Sequence, residues 1–447
     1  MTLIEEGLVA TGLVVSAHAI GAVLAFRAAR RAHTAQGAVA WAIALLASPL
    51  IAVPLYLTFG HPRLRPSAEA QARRRARAER PSAADHDAFE RLAGGQTAKD
   101  AAVDLLVDGE AIFAALHDAI DRAERSLLAT FFIIRDDATG RAFAERLIAR
   151  AQAGVKVRLI YDAVGSRKLR DRYLAPLREA GVEALPFALR RGWLTRLHIN
   201  FRNHRKMLVA DGRETIIGGV NIGDEYLGLK PPLAPWRDTA VRIRGAAALA
   251  AQRAFAEDWE WAGGAPLDLD WSPPAPAGDR RALLIASGPA DPQPTCPLFF
   301  CHAITSATRR IWIASPYFVP DLDVMTSLKL AALRGVDVRV LIPDRPDHLI
   351  VWLAAISHVA EAARAGVRVW RYTAGFMHQK ALVIDDHAAA VGTANLDSRS
   401  FRLNFEISAL LPDPTLTARV AAMLEADFRC SAPFDATAYG RLARFAA

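Results

Sequence analysis

The strongest constraint on this chain is a motif that occurs twice. His204-x-Lys206-x-x-x-x-Asp211 returns as His378-x-Lys380-x-x-x-x-Asp385, 174 residues further along. Each copy is followed by a Gly-rich turn and an Asn, GGVN ending at Asn221 and GTAN ending at Asn395, both ten residues past the Asp. Agreement at five fixed positions points to a duplicated structural unit. It predicts two half-sites that face each other and hold one phosphate between them.

The sequence around each motif repeats as well. In the first copy LLATFFII at 127–134 reads as a buried strand, 138–152 as a helix, and GVKVRLIYD and GVEALPF as two more strands. HRKMLVAD reads as a fourth. In the second copy RRIWIASPYF, a helix at 322–333, GVDVRVLIPD, GVRVWRY and HQKALVID follow in the same order. Strands alternating with helices predict an α/β fold. The halves are expected as two tandem α/β sandwich domains, 101–265 and 266–447, about a pseudo-twofold axis. The stretch 262–294 holds seven prolines and reads as the connector.

In a strand, residues i and i+2 point to one side. His204 therefore projects with Lys206, and His378 with Lys380. A twofold axis brings both pairs into one cleft. Such a cleft suits phosphodiester cleavage. Lys206, Lys380, Asn221 and Asn395 offset charge on the phosphate oxygens. One His attacks phosphorus, and the other protonates the leaving oxygen. The two imidazoles need different protonation states, so their pKa values are expected to lie apart. Each His also needs a partner on its other ring nitrogen. Asp238 in WRDTAVRI and Glu406 in NFEISALL are the candidates, with Glu225 in NIGDEY competing. Asp211 and Asp385 belong to the catalytic signature, although fixing the turn after the strand suits them better. His198, Arg202 and Arg205 are candidates for headgroup binding or for solvated surface. Trp193, Trp236, Trp259 and Trp261 are candidates for membrane-interface contact or core.

The N-terminal end has another character. Residues 7–26 and 37–59 carry no Lys, Arg, Asp or Glu. Segments of 20 and 23 residues each cover roughly 30 Å of hydrocarbon, which predicts a transmembrane hairpin within 1–60. Seven arginines and two glutamates lie between Arg63 and Arg80, in a polar linker read as 61–100. Basic residues stay cytoplasmic, so this cluster holds both termini and the bulk of the chain inside. Arg27, Arg30 and Arg31, between the spans, argue the other way. The net charge of +8 suits an anionic partner, and the tether favours a lipid over nucleic acid. Three cysteines make no disulfide framework, and no His/Cys cluster has zinc spacing. No metal or cofactor is expected.

The paired signatures resemble the phospholipase D superfamily. NFRNHRKMLVADG, GGVNIGDEY, WRDTAVRI, SPYFVPD, GTANLDSRS and NFEISALL narrow this to bacterial cardiolipin synthases. The resemblance implies a phosphatidyltransferase of the bacterial inner membrane, multi-pass, with a cytoplasmic catalytic domain. It implies phosphatidyl transfer from one phosphatidylglycerol to a second, with release of glycerol. A lipid hydrolase or a nuclease on the same site is the alternative. The resemblance favours His204 as nucleophile and His378 as acid. The superfamily serine is Gly219 in the first copy and Thr393 in the second. Metal-dependent synthases of this lipid carry an Asp-rich motif that is absent here, so activity is expected to survive EDTA. Donor lipid and oligomeric state are not set by these residues.

Overall fold

The computed structural model describes residues 3–31, 35–60, 87–188, 200–347 and 349–434. The Arg63–Arg80 cluster, Trp193 and His198 lie outside the described residues. Two bodies make up the chain: Met1–Gln71 with Ala188–Arg202, and Ala72–Phe187 with Asn203–Ala447.

In the larger body one long sheet carries both repeats. Its centre is the antiparallel pair Ala98–Val107 and Arg280–Ser287. Outward from the first come Thr239–Arg244, Glu214–Gly218, Met207–Ala210, Ser126–Phe131, Lys156–Asp162 and Glu183–Phe187. Outward from the second come Asn404–Leu411, Ala388–Gly392, Ala381–Ile384, Arg310–Ala314, Asp337–Pro343 and Arg368–Tyr372, with Ser431–Pro433 added at the far edge. The senses match too. Each half is antiparallel near the centre and turns parallel at its last three repeated strands. The order thus reads the same from both ends, the topology of two tandem α/β halves related by a pseudo-twofold axis.

The parallel strands are near-continuous apolar runs because helices cover them. Ala138–Gln152 and Leu322–Leu333 are the crossover helices, at the expected spans. Asp137 and Asp321 cap their first turns, accepting from the backbone N–H of Gly140 and Val324. Each half has its own core, one around Leu127, Leu159 and Phe143, the other around Ile311, Val340 and Leu328.

Arg280–Ser287 lies inside the proline-rich stretch read as connector. The prolines flank it, and its run ALLI is buried between neighbours on both sides. A connector in sequence is therefore a central strand in the fold. Phe89, on the short helix Ala88–Ala93 ahead of the first repeat, packs into the core of the second half.

The smaller body is built on the helix Leu3–Arg31, which over Thr11–Arg30 is long and apolar enough to cross a membrane. The expected second span is not one helix. It is broken at Ser48 into Ala35–Ala47 and Pro49–Phe59, 13 and 11 residues long. Pro49 has no N–H to donate and starts a new helix at its favoured first position.

Candidate active site

His204, Arg205 and Lys206 lead directly into the strand Met207–Ala210, and His378, Gln379 and Lys380 into Ala381–Ile384. The Asp that ends each motif follows the strand in a left-handed conformation, φ 54° at Asp211 and 48° at Asp385. That backbone aims each carboxylate at a neighbouring loop. Asp211 accepts from the N–H of Glu124, Arg125 and Ser126 at 2.7–2.9 Å. Asp385 accepts from the N–H of Arg309 and Arg310 at 2.8 Å and of Thr308 at 2.9 Å, and from the Thr308 hydroxyl. Burial works against the Asp385 charge, and these donors outweigh it, taking the pKa to about 2. Both aspartates thus tie the hairpin end to the entry of the first parallel strand. These contacts fit the turn-fixing reading of the two aspartates: they build the sheet that carries the histidines.

The two histidines are held across the halves. His204 Nδ1 lies 2.9 and 3.0 Å from the Glu406 oxygens, and His378 Nδ1 lies 2.8 Å from Asp238 Oδ2. Each imidazole of one repeat is therefore oriented by a carboxylate of the other. A carboxylate at that distance keeps the proton on Nδ1 and leaves Nε2 with its lone pair. Glu225 is not a partner of either His. Its carboxylate binds Arg135 Nε at 2.9 Å and Lys230 Nζ at 3.2 Å. The reason is position: it sits in a turn after GGVN, while Asp238 and Glu406 stand on or beside the inner strands that flank the centre of the sheet.

Aromatic rings frame both imidazoles. Phe132 stands edge-on to His204 with centroids 5.1 Å apart, and Trp236 is 5.1 Å from His378. Lys206 Nζ donates to the His204 carbonyl at 2.6 Å and lies over the Phe132 ring. Lys380 Nζ donates to the His378 carbonyl and is 2.9 Å from His378 Nδ1. Asn221 accepts from the Ile133 N–H with Oδ1 and donates one of its two amide hydrogens to the Tyr226 hydroxyl. Asn395 Nδ2 is 3.5 Å from Asp397, and its buried Oδ1 has no hydrogen-bond partner among the described residues.

Burial dominates the electrostatics. It pushes His204 down to about 4, with Lys206 and Lys380 adding to the shift and Glu406 opposing it. Burial and then Lys380 push His378 to about 4, against the pull of Asp238. Lys380 falls to about 8 and Lys206 well below its usual value, both chiefly through burial. Burial works to raise the Glu406 carboxyl, but His204, Lys206 and Thr393 outweigh it and hold it below its usual range. The expected separation of the two histidines is therefore not present in the protein's own charges. With both pKa values at about 4, both imidazoles are neutral at pH 7.

Burial decides among the remaining candidates. Arg205 is enclosed: it pairs with Asp258 at 2.6 Å and donates to the carbonyls of Glu406, Ala254 and Ser287. It clamps the motif onto the helix Ala248–Trp261. Trp259 and Trp261 are core, and Trp236 lines the His378 side. Ser315 is buried and accepts from the Leu396 N–H, which locks the GTAN turn. Ser400 and Asn404, which donate to Glu406 at 2.8 and 3.1 Å, were not singled out in the sequence. Their place in GTANLDSRS and LNFEIS, within six residues of Glu406, was the available signal.

The sequence model of the family described as "Cardiolipin synthase, PLD-like domain" matches residues 116–259 and 300–428. The chain is 45% identical over 438 residues to cardiolipin synthase A of Pseudomonas fluorescens, covering 93% of this chain and 91% of that one. It is 46% identical over 433 residues to cardiolipin synthase A of Pseudomonas entomophila, covering 92% and 90%. Among solved structures, phosphatidylserine synthase of Haemophilus influenzae superposes with a TM-score of 0.57 at 15% identity, over 74% of this chain and 87% of that one. Polyphosphate kinase from Porphyromonas gingivalis superposes with 0.53 at 13% identity, over 75% and 49%. These two likenesses concern the fold. By sequence, motif and architecture, the chain belongs to the cardiolipin synthase family of phospholipase D-like phosphatidyltransferases.

Proposed function

We propose that this chain makes cardiolipin by moving a phosphatidyl group from one phosphatidylglycerol to another through a phosphohistidine. The observation that carries the reading is the crossed pairing of His204 with Glu406 and of His378 with Asp238. It leaves two Nε2 atoms for chemistry, each backed by an anion. His204 Nε2 attacks phosphorus, forming the N–P bond as the P–O bond to glycerol breaks. His378, protonated beside the phosphate anion, gives its proton to the departing glycerol oxygen. It then takes the proton of the second phosphatidylglycerol's hydroxyl as that oxygen attacks phosphorus and the N–P bond breaks. Two phosphatidylglycerols become one cardiolipin and one glycerol. Lys206 and Lys380, with Asn221 and Asn395, offset charge on the phosphoryl oxygens.

The substrate is an anionic phospholipid, and the enzyme works at the bacterial inner membrane with its catalytic body on the cytoplasmic side. The apolar helix and the arginine cluster behind it support this. The chain is organised as a membrane segment (1–60), a basic linker (61–100) and two half-domains (101–265 and 266–447). The test is product analysis with labelled phosphatidylglycerol in vesicles, on wild type beside His204→Ala and His378→Ala. Cardiolipin and glycerol in equal amounts, absent from both variants, are expected. Phosphatidic acid alone means hydrolysis and sinks the transferase reading.

A further inference from the structure

The second apolar stretch folds back on itself. The rings of Trp41 and Tyr56 meet edge to face with centroids 5.2 Å apart. In one continuous helix their Cα atoms would be about 22 Å apart, beyond the reach of two side chains. The turn at Ser48 therefore returns Pro49–Phe59 alongside Ala35–Ala47. Both limbs share one apolar cluster with the first helix, in which Leu45, Ala52 and Tyr56 pack with Leu24, Ala25 and Ala28. The turn comes level with Gly21, where a Cβ would overlap the Leu45 carbonyl and touch Pro49.

These distances describe a hairpin that reaches halfway through a bilayer. Its limbs are roughly 20 and 17 Å long, against about 30 Å of hydrocarbon. Gly21 lies about 14 Å along the first helix from Arg30. A break in a helix at that depth needs its backbone groups satisfied. Here the Ser48 N–H donates to Ala44, the Ser48 carbonyl accepts from Ile51 and Ala52, and Pro49 has no N–H. The outer faces, with Val39, Ile43, Leu46, Leu50, Ile51 and Leu55, are exposed and apolar.

The charges agree. With two crossings, Arg27, Arg30 and Arg31 lie on one side and the seven arginines of 63–80 on the other. With a single crossing all of them lie together, opposite Glu5 and Glu6, as the distribution of basic residues in membrane proteins requires.

Resting on the membrane reading above, we propose that Leu3–Arg31 crosses the bilayer once and that Ala35–Phe59 is a re-entrant helical hairpin seated among the acyl chains of the cytoplasmic leaflet. The amino terminus is then outside, and the arginine-bearing base of the first helix is on the catalytic side. The full-length protein tests this in a Gram-negative host, as Leu3→Cys and Gln36→Cys variants treated with a membrane-impermeant maleimide and read by peptide mapping. Native Cys430, exposed on the catalytic body, reports that side. The expected result is that Leu3→Cys labels equally in intact and permeabilised cells, while Gln36→Cys and Cys430 label only after permeabilisation. Labelling of Gln36→Cys in intact cells, with Leu3→Cys protected, restores two crossings and overturns the proposal. Protection of Leu3→Cys in intact cells with Gln36→Cys also protected means no crossing and overturns it as well. Protein found in the soluble fraction after cell breakage refutes the membrane reading itself, a separate failure.

Discussion

The two half-sites share a backbone plan and differ in how their carboxylates are held. Glu406, which serves His204, also accepts from the Thr393 hydroxyl at 2.6 Å, the Ser400 hydroxyl at 2.8 Å and the Asn404 amide at 3.1 Å. Asp238, which serves His378, has the Thr239 N–H at 2.9 Å and the Trp236 indole at 3.3 Å. The Gly-rich turns explain the contrast. A Cβ at Gly219 would overlap the Asp238 carboxylate, while the equivalent Thr393 supplies a hydroxyl to the longer Glu406. Gly219 with Asp238, and Thr393 with Glu406, are matched pairs. The residues between each His and Lys diverge likewise: Arg205 forms a buried ion pair with Asp258, and Gln379 donates to Asp427. The strands repeat between the halves while the side chains around the two imidazoles differ, which suits the unlike tasks proposed for them.

The largest effect separates those tasks. His204→Ala and His378→Ala should each lower cardiolipin formation by on the order of 10⁴-fold. With a p-nitrophenyl phosphodiester donor, whose leaving group needs no proton, only His378→Ala should recover release of nitrophenol. Recovery by His204→Ala instead would exchange the two roles.

Next come the carboxylates. Asp238→Asn and Glu406→Gln should each cost on the order of 10³-fold in kcat by losing the tautomer that exposes Nε2. Glu406→Gln should also lower the melting temperature more, because three further donors lose a charged acceptor. Equal melting temperatures would contradict the difference in their settings.

The matched pairs give a smaller contrast. Gly219→Ala should displace Asp238 and cost roughly 10²-fold in kcat, the usual scale for a misplacement near 1 Å. Thr393→Val removes the hydroxyl's bond to Glu406 and the one it accepts from the Ile407 N–H, about 1 kcal/mol of stability each, and its kcat should stay within about tenfold of wild type. A fully active Gly219→Ala would refute the close packing.

Acid treats the half-sites alike. Both histidines have folded pKa values of about 4, below the unfolded value of about 6.5. The unfolded chain therefore binds protons first. Their contribution to stability is full above about pH 6.5, falls as pH drops, and levels off below about pH 4. Denaturant midpoints for wild type and a His204→Gln/His378→Gln double variant should converge across this window. Least connected to the chemistry, Asp211→Asn and Asp385→Asn should each cost about 2 kcal/mol of stability, with kcat of the folded fraction unchanged.

Much of this was legible in the chain. Strand and helix periodicity located Ala138–Gln152 and Leu322–Leu333, and both orienting carboxylates stood among the candidates. The crossing of those carboxylates was not legible, because i, i+2 spacing says which residues share a side and nothing about which half faces them. Glu225 competed because it is acidic and near the motif in sequence, yet Arg135 and Lys230 claim it. Arg205 was open between headgroup ligand and solvated surface, and is neither, because charge is visible in sequence and burial is not. Arg280–Ser287 hid among prolines, since local composition outweighs a short apolar run until a sheet needs its centre.

By itself the amino-acid sequence determined that a phosphate-handling motif occurs twice, on equivalent strands, behind an uncharged N-terminal stretch. Those features are local: residue type, spacing and hydropathy carry them without reference to distant neighbours. Tertiary structure alone decided which carboxylate serves which imidazole, why one turn needs glycine where the other uses threonine, and that the second apolar stretch turns back at Ser48. Each depends on contacts between segments far apart in the chain or folded against one another, where exclusion of water and the room for a single methyl group set the outcome.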